Sequence, residues 1–563
     1  MLRTTKMYVS YLDSVLRELN NSGTHDKGAA ALKEEMLQAE LVIPVVGLFS
    51  AGKSTLINRF LGRNYLPVGI TPETSLATEL RYGIGERIEG IKKDGSVVTH
   101  NIEEIHKIKD NASEYRYIRV FLNNEKLKAI EPLVIVDMPG FDSPLDLHNQ
   151  AILNYLAKGV HYIVVVSVEE GEITKSLLRR LYEIKMVGKD FTMVLNKADL
   201  RSESEVTEIK DRIKDELRTE FDEDKDVVVT SILEPQVFER VLNSVNPEEL
   251  FKSVFLERLK INYFETVESL NMMISALKHS EDEIKSAIEN MDESIKKIEE
   301  RKSQVISDIK IRYSNVKVDD IVRTIKMELE NSADELVDII IYSGEKAFMA
   351  EVADIIRFNL LNHLGDLLED ISGDIIRDIN FELKRIERKI PEIYLGYTWI
   401  EKVSDRIRTT FKRFTKAISN RTENARKVAK GASTAFGLMA ILTNIIPSII
   451  EAAIFFLPMI ISKAFEKIQK SRIRDKLVED FIPSVEAKLK EQVRLYLNET
   501  IEEMVDEISC EYEKQLEQKK RDLKTVEREK REKINEIEKL ISAYEQALKN
   551  IQELANEVLF REE

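Results

Sequence analysis

The chain has a single cysteine, Cys510, in 563 residues. It can build no disulfide framework of its own and no cysteine-rich zinc site, which fits a reducing compartment. Glycine (20) and proline (12) are scarce, together about 6% of the chain, where ordinary usage is about 12%. So few residues that punctuate loops imply long helices. Positive charge is in deficit: 84 Lys and Arg face 100 Asp and Glu, a net charge of −16. That argues against a generic nucleic-acid binder, whose partner's phosphates demand a basic surface, while leaving room for local basic patches. The opening residues hold no long apolar run and no small-residue cleavage site, so they do not read as a secretory leader. What is present is enough for real cores. Hydrophobic residues make up 43%, too many for wholesale disorder. The length suggests roughly three to five domains, fewer if some are long and helical.

Periodicity divides the chain. In residues 1–40, Tyr8, Leu12, Val15, Leu16 and Leu19 recur at spacings of three and four, which predicts one or two amphipathic helices. Over 41–240, short apolar runs alternate with polar helical stretches. The runs Leu41–Val46, Leu133–Val136, Ile163–Val166, Thr192–Leu195 and Val227–Val229 suit central strands of a parallel sheet buried on both faces. Thr78–Tyr82 and Tyr117–Leu122 read as added strands, and Pro44 sits awkwardly inside the first. From about 245 onward the pattern is almost wholly helical. An apolar series runs from Val485 through Leu489, Val493 and Leu497 to Leu554 and Val558 in steps of three, four and seven. We read it as part of an intramolecular bundle rather than an oligomeric coiled coil, because the preceding 240 residues supply the partner helices.

The strongest motif is Gly47-Leu-Phe-Ser-Ala-Gly52-Lys53-Ser54, which follows a predicted strand directly. It matches G-x-x-x-x-G-K-[ST], a phosphate loop. Gly47 and Gly52 permit a tight turn whose backbone N–H groups, with Ala51 and Thr55 in the same stretch, surround phosphate oxygens. Lys53 reaches the β and γ phosphates, and Ser54 ligands Mg²⁺. The helix that follows turns its positive end to the same anion. Asp137-Met-Pro-Gly140 ends a later strand, with Asp137 placed to hold Mg²⁺ through water and the Gly140 amide to sense the γ phosphate. Asn196-Lys197-Ala198-Asp199 ends another. The Asp199 carboxylate accepts from guanine N1 and the 2-amino group together, a donor pair that adenine lacks. Asn196 braces the phosphate loop and the Lys197 stem covers the base. Ser231, after the last strand, is a weaker candidate for bracing the base. In residues 67–75, Thr74, or failing that Thr71, would complete the metal shell; an ordinary surface loop is the alternative there. Together the motifs predict binding of GTP or GDP with Mg²⁺.

These motifs resemble a GTPase of the dynamin superfamily, in particular its bacterial members. The residues that carry the resemblance are the Phe-Ser-Ala-Gly-Lys-Ser-Thr loop and Leu66-Pro-Val-Gly69 leading into Thr71-Pro-Glu-Thr74. The 83 residues from Ser54 to Asp137 also match the enlargement of that interval in dynamins. The resemblance implies an α/β P-loop GTPase head on a long all-α helical neck and stalk. Its parts would be N-terminal helices (1–40) packed on the neck, a GTPase domain (41–240), outbound helices (241–430), a tip (431–465) and returning helices (466–563). It implies phosphate, metal and catalytic roles for Lys53, Ser54, Thr74 and Asp137, and base recognition by Lys197 and Asp199. It gives Ser50 the task of holding the β–γ bridge and a charge-compensating cation. It further implies self-association through the heads, and leaves room for a related dynamin-like partner protein. One position departs. Eukaryotic dynamins usually carry a water-orienting glutamine where this chain has Phe49, and Phe141 after Gly140 offers no substitute. Hydrolysis is therefore expected to be slow and dependent on assembly.

Residues 433–462 form the longest apolar run, interrupted by Asn444, Pro447 and Glu451. A spanning helix needs about 20 apolar residues, and a carboxylate at bilayer depth is costly. Two short helices turning near Pro447 and lying in one leaflet suit it better. Its flanks are basic, +7 over 401–430 and +4 over 463–476, which favours anionic lipid. The dynamin-like layout supports a membrane-contact tip and a cytoplasmic protein held peripherally on a membrane. A buried bundle centre and a protein-docking hairpin remain open as readings of this segment. For the whole chain, the rivals are a GTP-gated scaffold with little hydrolysis and a pore-like protein with a regulatory GTPase domain. The seven histidines show no close metal-ligand pairing.

Overall fold

The structure, a computed structural model, describes residues 1–48, 50–67, 76–92, 94–105, 108, 114–140, 155, 158–186, 189–234, 237–314, 316–387, 404, 470–532 and 536–561. Two helices open the chain, α1 (Arg3–Asn21) and α2 (Lys27–Leu37). The α/β head then follows as β1 (Leu41–Gly47), α3 (Lys53–Leu61), β2 (Thr78–Tyr82), β3 (Arg87–Lys92), β4 (Val97–His100), β5 (Tyr115–Leu122), α4 (Glu125–Ala129), β6 (Leu133–Asp137), β7 (His161–Ser167), α5 (Lys175–Met186), β8 (Asp190–Asn196), α6 (Glu203–Phe221), β9 (Val227–Val229) and α7 (Val237–Asn243). The remaining described elements are all helices: α8 (Pro247–Leu277), α9 (Glu281–Tyr313), α10 (Val316–Asn331), α11 (Ala333–Tyr342), α12 (Gly344–Glu387), α13 (Lys470–Lys476), α14 (Ile482–Glu532) and α15 (Ile537–Val558). The fold is a nine-stranded α/β head followed by a long all-α bundle.

Among the described residues the strands form one sheet in the order β4-β3-β5-β2-β6-β1-β7-β8-β9. Its centre, β6-β1-β7-β8-β9, is wholly parallel. The central strands β6, β1 and β7 are buried along their whole length, which is why their sequences are continuous Val and Ile rather than alternating. β2 joins this core antiparallel to β6 and pairs in parallel with β5 on its other side. Beyond β5 lies an antiparallel hairpin, β3–β4, that the hydrophobic pattern does not announce. β4 is half exposed and β3 carries charge on its open face, so neither makes an apolar run. Pro44 of β1 lies against Gly159: a Cβ on that glycine would stand 2.8 Å from Pro44 Cγ and 2.9 Å from the Tyr162 ring. The missing side chain makes the room the proline ring takes.

The helices start where their caps put them. Ser280–Glu283 and Ser202–Glu205 are reciprocal capping boxes on α9 and α6. Asn246 caps α8 ahead of Pro247. Residue Leu2 cannot cap α1, and Glu248 at the start of α8 does so instead, accepting from the Arg3 and Thr4 amides at 2.8 Å each. At one end α1, α2, α8 and α15 pack with the C-terminal part of α14 to form a neck. At the other, α10 and α12 pack on the N-terminal part of α14 to form a stem, and α9 runs beside both. The predicted α14 seam, from Val485 to Val526, is buried against helices of the same chain. α13 passes into α14 through one wider π turn, Leu477–Phe481, whose Phe481 ring packs on Phe348 of α12. The apolar run 433–462 lies outside the described residues. Among those described, no helix is long and apolar enough to cross a membrane.

Candidate nucleotide-binding site

β1 delivers the phosphate loop to the carboxyl edge of the sheet, and α3 begins at its far side. The loop's two motif glycines are sterically required. A Cβ on Gly47 would lie 2.1 Å from the Val165 carbonyl oxygen of β7, and one on Gly52 (φ +90°) would lie 2.4 Å from Asn196 Nδ2. Ser50 is also left-handed, at φ 62°, a conformation that costs a non-glycine residue energy and that clusters at functional loops. Ala51 is fully buried beneath the turn. Lys53 is buried and donates to the carbonyl oxygens of Gly47 and Leu48, at 3.1 and 2.9 Å. Ser54 and Thr55 follow in the first turn of α3, where amides lack helical acceptors.

Three strand ends converge on this loop. Ser54 Oγ donates to Asp137 Oδ2, at the end of β6, at 2.8 Å. Gly140 follows in a buried stretch that β1 anchors through the Met138 amide and the Val45 carbonyl, 3.3 Å apart. From the end of β8, Asn196 Nδ2 donates to the Ala51 carbonyl at 2.9 Å, and Asn196 Oδ1 accepts from Thr230 Oγ1 at 3.0 Å. Lys197 takes the left-handed conformation, φ 63°, which turns the chain so that Ala198 N–H meets the Thr230 carbonyl at 3.1 Å. Asp199 Oδ1 then accepts from Ser231 Oγ at 2.8 Å. The Lys197 ammonium pairs with Glu169, and this hydrogen bond holds the exposed Glu169 carboxyl below the usual carboxylate range. Thr71, Thr74, Phe49 and Phe141 lie outside the described residues.

The donor set suits a hydrated divalent cation beside phosphates: a hydroxyl and a carboxylate in contact, an ammonium one residue away, and a glycine cradle too tight for a Cβ. Sequence reasoning missed Thr230, which locks Asn196, and Glu169, which holds Lys197. It also missed Glu79. That carboxylate lies on β2 next to Thr78, which is in register with Asp137. It is fully buried and meets Lys158, Tyr155 Oη at 2.7 Å and Arg81 Nη2 at 2.7 Å. Burial alone would raise its pKa; Lys158 and Arg81 outweigh burial and hold it at about 2. Glu79→Ala would strand buried cations, so it should destabilise the head by about 3–5 kcal/mol in chemical denaturation. The carboxylate's contribution should be complete above pH 4.5 and vanish as the pH falls toward 2.

Residues 43–199, from the first strand to the Asp199 motif, match the family described as the Dynamin family. Over these residues the head is similar to that family. Relatives of the chain include an uncharacterized protein in the xynA 3' region of Caldicellulosiruptor sp. (strain Rt8B.4), 30% identical over 216 residues, covering 36% of this chain and 51% of that protein. Dynamin-like protein 2 of Campylobacter jejuni is 26% identical over 278 residues, covering 46% of this chain and 45% of its own. The chain thus spans about half the length of these curated relatives. A solved oligomerised bacterial dynamin pair, described as a mechanism for long range sensing and tethering of membranes, aligns over 93% of this chain and 91% of its own. The identity is 14% and the TM-score 0.31, so this alignment adds no weight to the family match.

Proposed function

We propose that this chain is a dynamin-like GTPase that couples binding and hydrolysis of GTP to self-association of its heads and to remodelling of a membrane. The observation that carries the reading is the joining of three motif strands on one loop: Ser54 on Asp137, and Asn196 on Ala51. In this proposal Lys53 and the loop amides bind the phosphates, Ser54, Asp137 and Thr74 hold Mg²⁺, and Ser50 aids the β–γ bridge. Asp199 reads guanine, the Lys197 stem covers the base, Ser231 braces it, and Asn196 braces the phosphate loop. The metal, when bound, supplies neutralisation of phosphate charge. The 433–462 segment is the lipid contact, drawn to anionic headgroups by its basic flanks, and the protein is cytoplasmic and peripheral to the membrane. The printed name of the Campylobacter relative, Dynamin-like protein 2, suits a related dynamin-like partner. A role in toxin or vesicle release follows only from a resemblance in length and layout to the labile enterotoxin output protein A of enterotoxigenic Escherichia coli.

The test measures GTP turnover against protein concentration, with and without anionic vesicles, alongside flotation. Turnover per molecule should be low when dilute and should rise with concentration or lipid, because Phe49 supplies no water-orienting group. Replacing Phe455, Phe456 and Leu457 with Asp or Ser should abolish flotation and leave GDP binding intact, since each buries roughly 1.5–3 kcal/mol of apolar surface in lipid. A fast rate independent of concentration would overturn the assembly requirement. Absence of turnover under every condition would favour the GTP-gated scaffold.

A further inference from the structure

Where the head meets the long helices, four charged side chains are buried together. α5 of the head supplies Arg180 and Glu183, and α12 of the stem supplies Asp354 and Arg357. Arg180 donates to both Glu183 oxygens, at 2.8 and 3.0 Å, and across the interface to Asp354 Oδ1 at 2.6 Å. Arg357 donates to Asp354 Oδ1 at 2.7 Å and back across to Glu183 Oε1 at 2.9 Å. Each helix therefore contributes one cation and one anion, and each guanidinium serves one carboxylate on either side. None of the four side chains is more than 10% exposed. Around them lie Arg179 on Glu351, the edge of Tyr182 against Phe358, and, at the exposed rim, Lys175 on Glu335 of α11 at 3.0 Å.

A buried ion cluster adheres less well than an apolar patch of the same volume, because desolvation offsets most of its Coulomb attraction. It does fix register, since only one alignment of the two helices satisfies all four groups. It also separates without penalty to the parted surfaces: the charges regain hydration, where apolar faces would be left in water. An interface built this way suits closing and reopening. We propose that the α5–α12 cluster is a releasable clasp that holds the head on the stem, and that it loosens as the pH rises.

The direction follows from the surroundings of Asp354. Burial pushes its carboxyl up to about 7. Arg180 and, more weakly, Arg179 oppose that rise, while Glu183 and Glu351 reinforce it. Glu183 is also raised, by burial working against Arg180. When the head lifts, Asp354 returns to water and to an ordinary value of 3.8. The closed state thus binds a proton that the open state releases, and a protonated Asp354 still accepts from Arg180 and Arg357 at Oδ1. Closure is favoured at acid pH and weakens as the pH climbs toward 7 and past it.

The test places donor and acceptor dyes on Lys175→Cys and Glu335→Cys in the full chain, with the exposed Cys510 replaced by Ser. Energy transfer should be nearly complete at pH 6. The open-to-closed ratio should rise about tenfold between pH 6 and 8. Asp354→Asn, which keeps the shape and removes the titration, should flatten that dependence. Arg357→Glu should lower transfer at every pH, and pairing it with Glu183→Arg should restore it. Low transfer in the parent chain at pH 6 would show that the contact does not hold in solution. Unchanged transfer in Arg357→Glu, or an unaltered pH response in Asp354→Asn, would show that other contacts do the holding. If Arg357→Glu loses helix by circular dichroism, the Asp354→Asn profile decides alone.

Discussion

Lys53→Ala is expected to reduce GTP turnover by about 100-fold or more, the scale seen when one preorganised donor to a developing charge is removed. The ammonium is held in place before any ligand arrives, by the carbonyls of Gly47 and Leu48. A phosphate oxygen entering the loop would take over those contacts at little ordering cost, and alanine has nothing to offer in exchange. The effect should be confined to the head. Lys53 sits in the phosphate loop of the head, bonded there to Gly47 and Leu48, so helix content by circular dichroism should stay at the parent level while nucleotide binding by calorimetry weakens. Parent-level turnover in the variant would mean that phosphate binds elsewhere.

Asp199→Asn should abolish the preference for guanine, lowering GDP affinity by about 100-fold or more. The carboxylate offers two acceptors, of which Oδ1 is steered by Ser231. An amide keeps one acceptor and places a donor against the guanine 2-amino group. Two charge-assisted bonds at roughly 1.5–3 kcal/mol each are then lost or turned repulsive. Competition of GDP, ADP and xanthosine diphosphate for a fluorescent nucleotide measures it. The parent should strongly favour GDP, and equal affinity of the parent for GDP and ADP would refute the guanine assignment.

The parallel core was legible because strands buried on both faces have no polar positions, so Ile163–Val166 and Leu133–Val136 could hardly be anything else. The order of motifs was legible too, because each sits at a strand end, and parallel strands bring their carboxyl ends to one edge. The β3–β4 hairpin was not. Half-exposed strands such as Val97–His100 carry little hydrophobic signal, although Asp94-Gly95, with Gly95 at φ +85°, is a hairpin turn dipeptide. Glu79 and the Arg180 cluster were invisible for a different reason. Their partners lie 79 and 174 residues away, and periodicity states that a helix has a polar position without saying what meets it. Arg180 and Arg357 even resemble ordinary solvated charges until the head is set against the stem.

The 51 residues of α14 span about 77 Å at the rise of an α-helix, and they belong to both bundles at once. Their inward residues are buried from Val485 beside α12 to Val526 beside α8 and α9, with no break along the way. Neck and stem therefore share a strut, and neither can pivot on the other without bending that helix. Rotation has to enter where the head joins the neck. A tilt of about 10° imposed there would sweep the far end of the strut through about 13 Å, a lever that turns a small rearrangement at one end into a stride at the other.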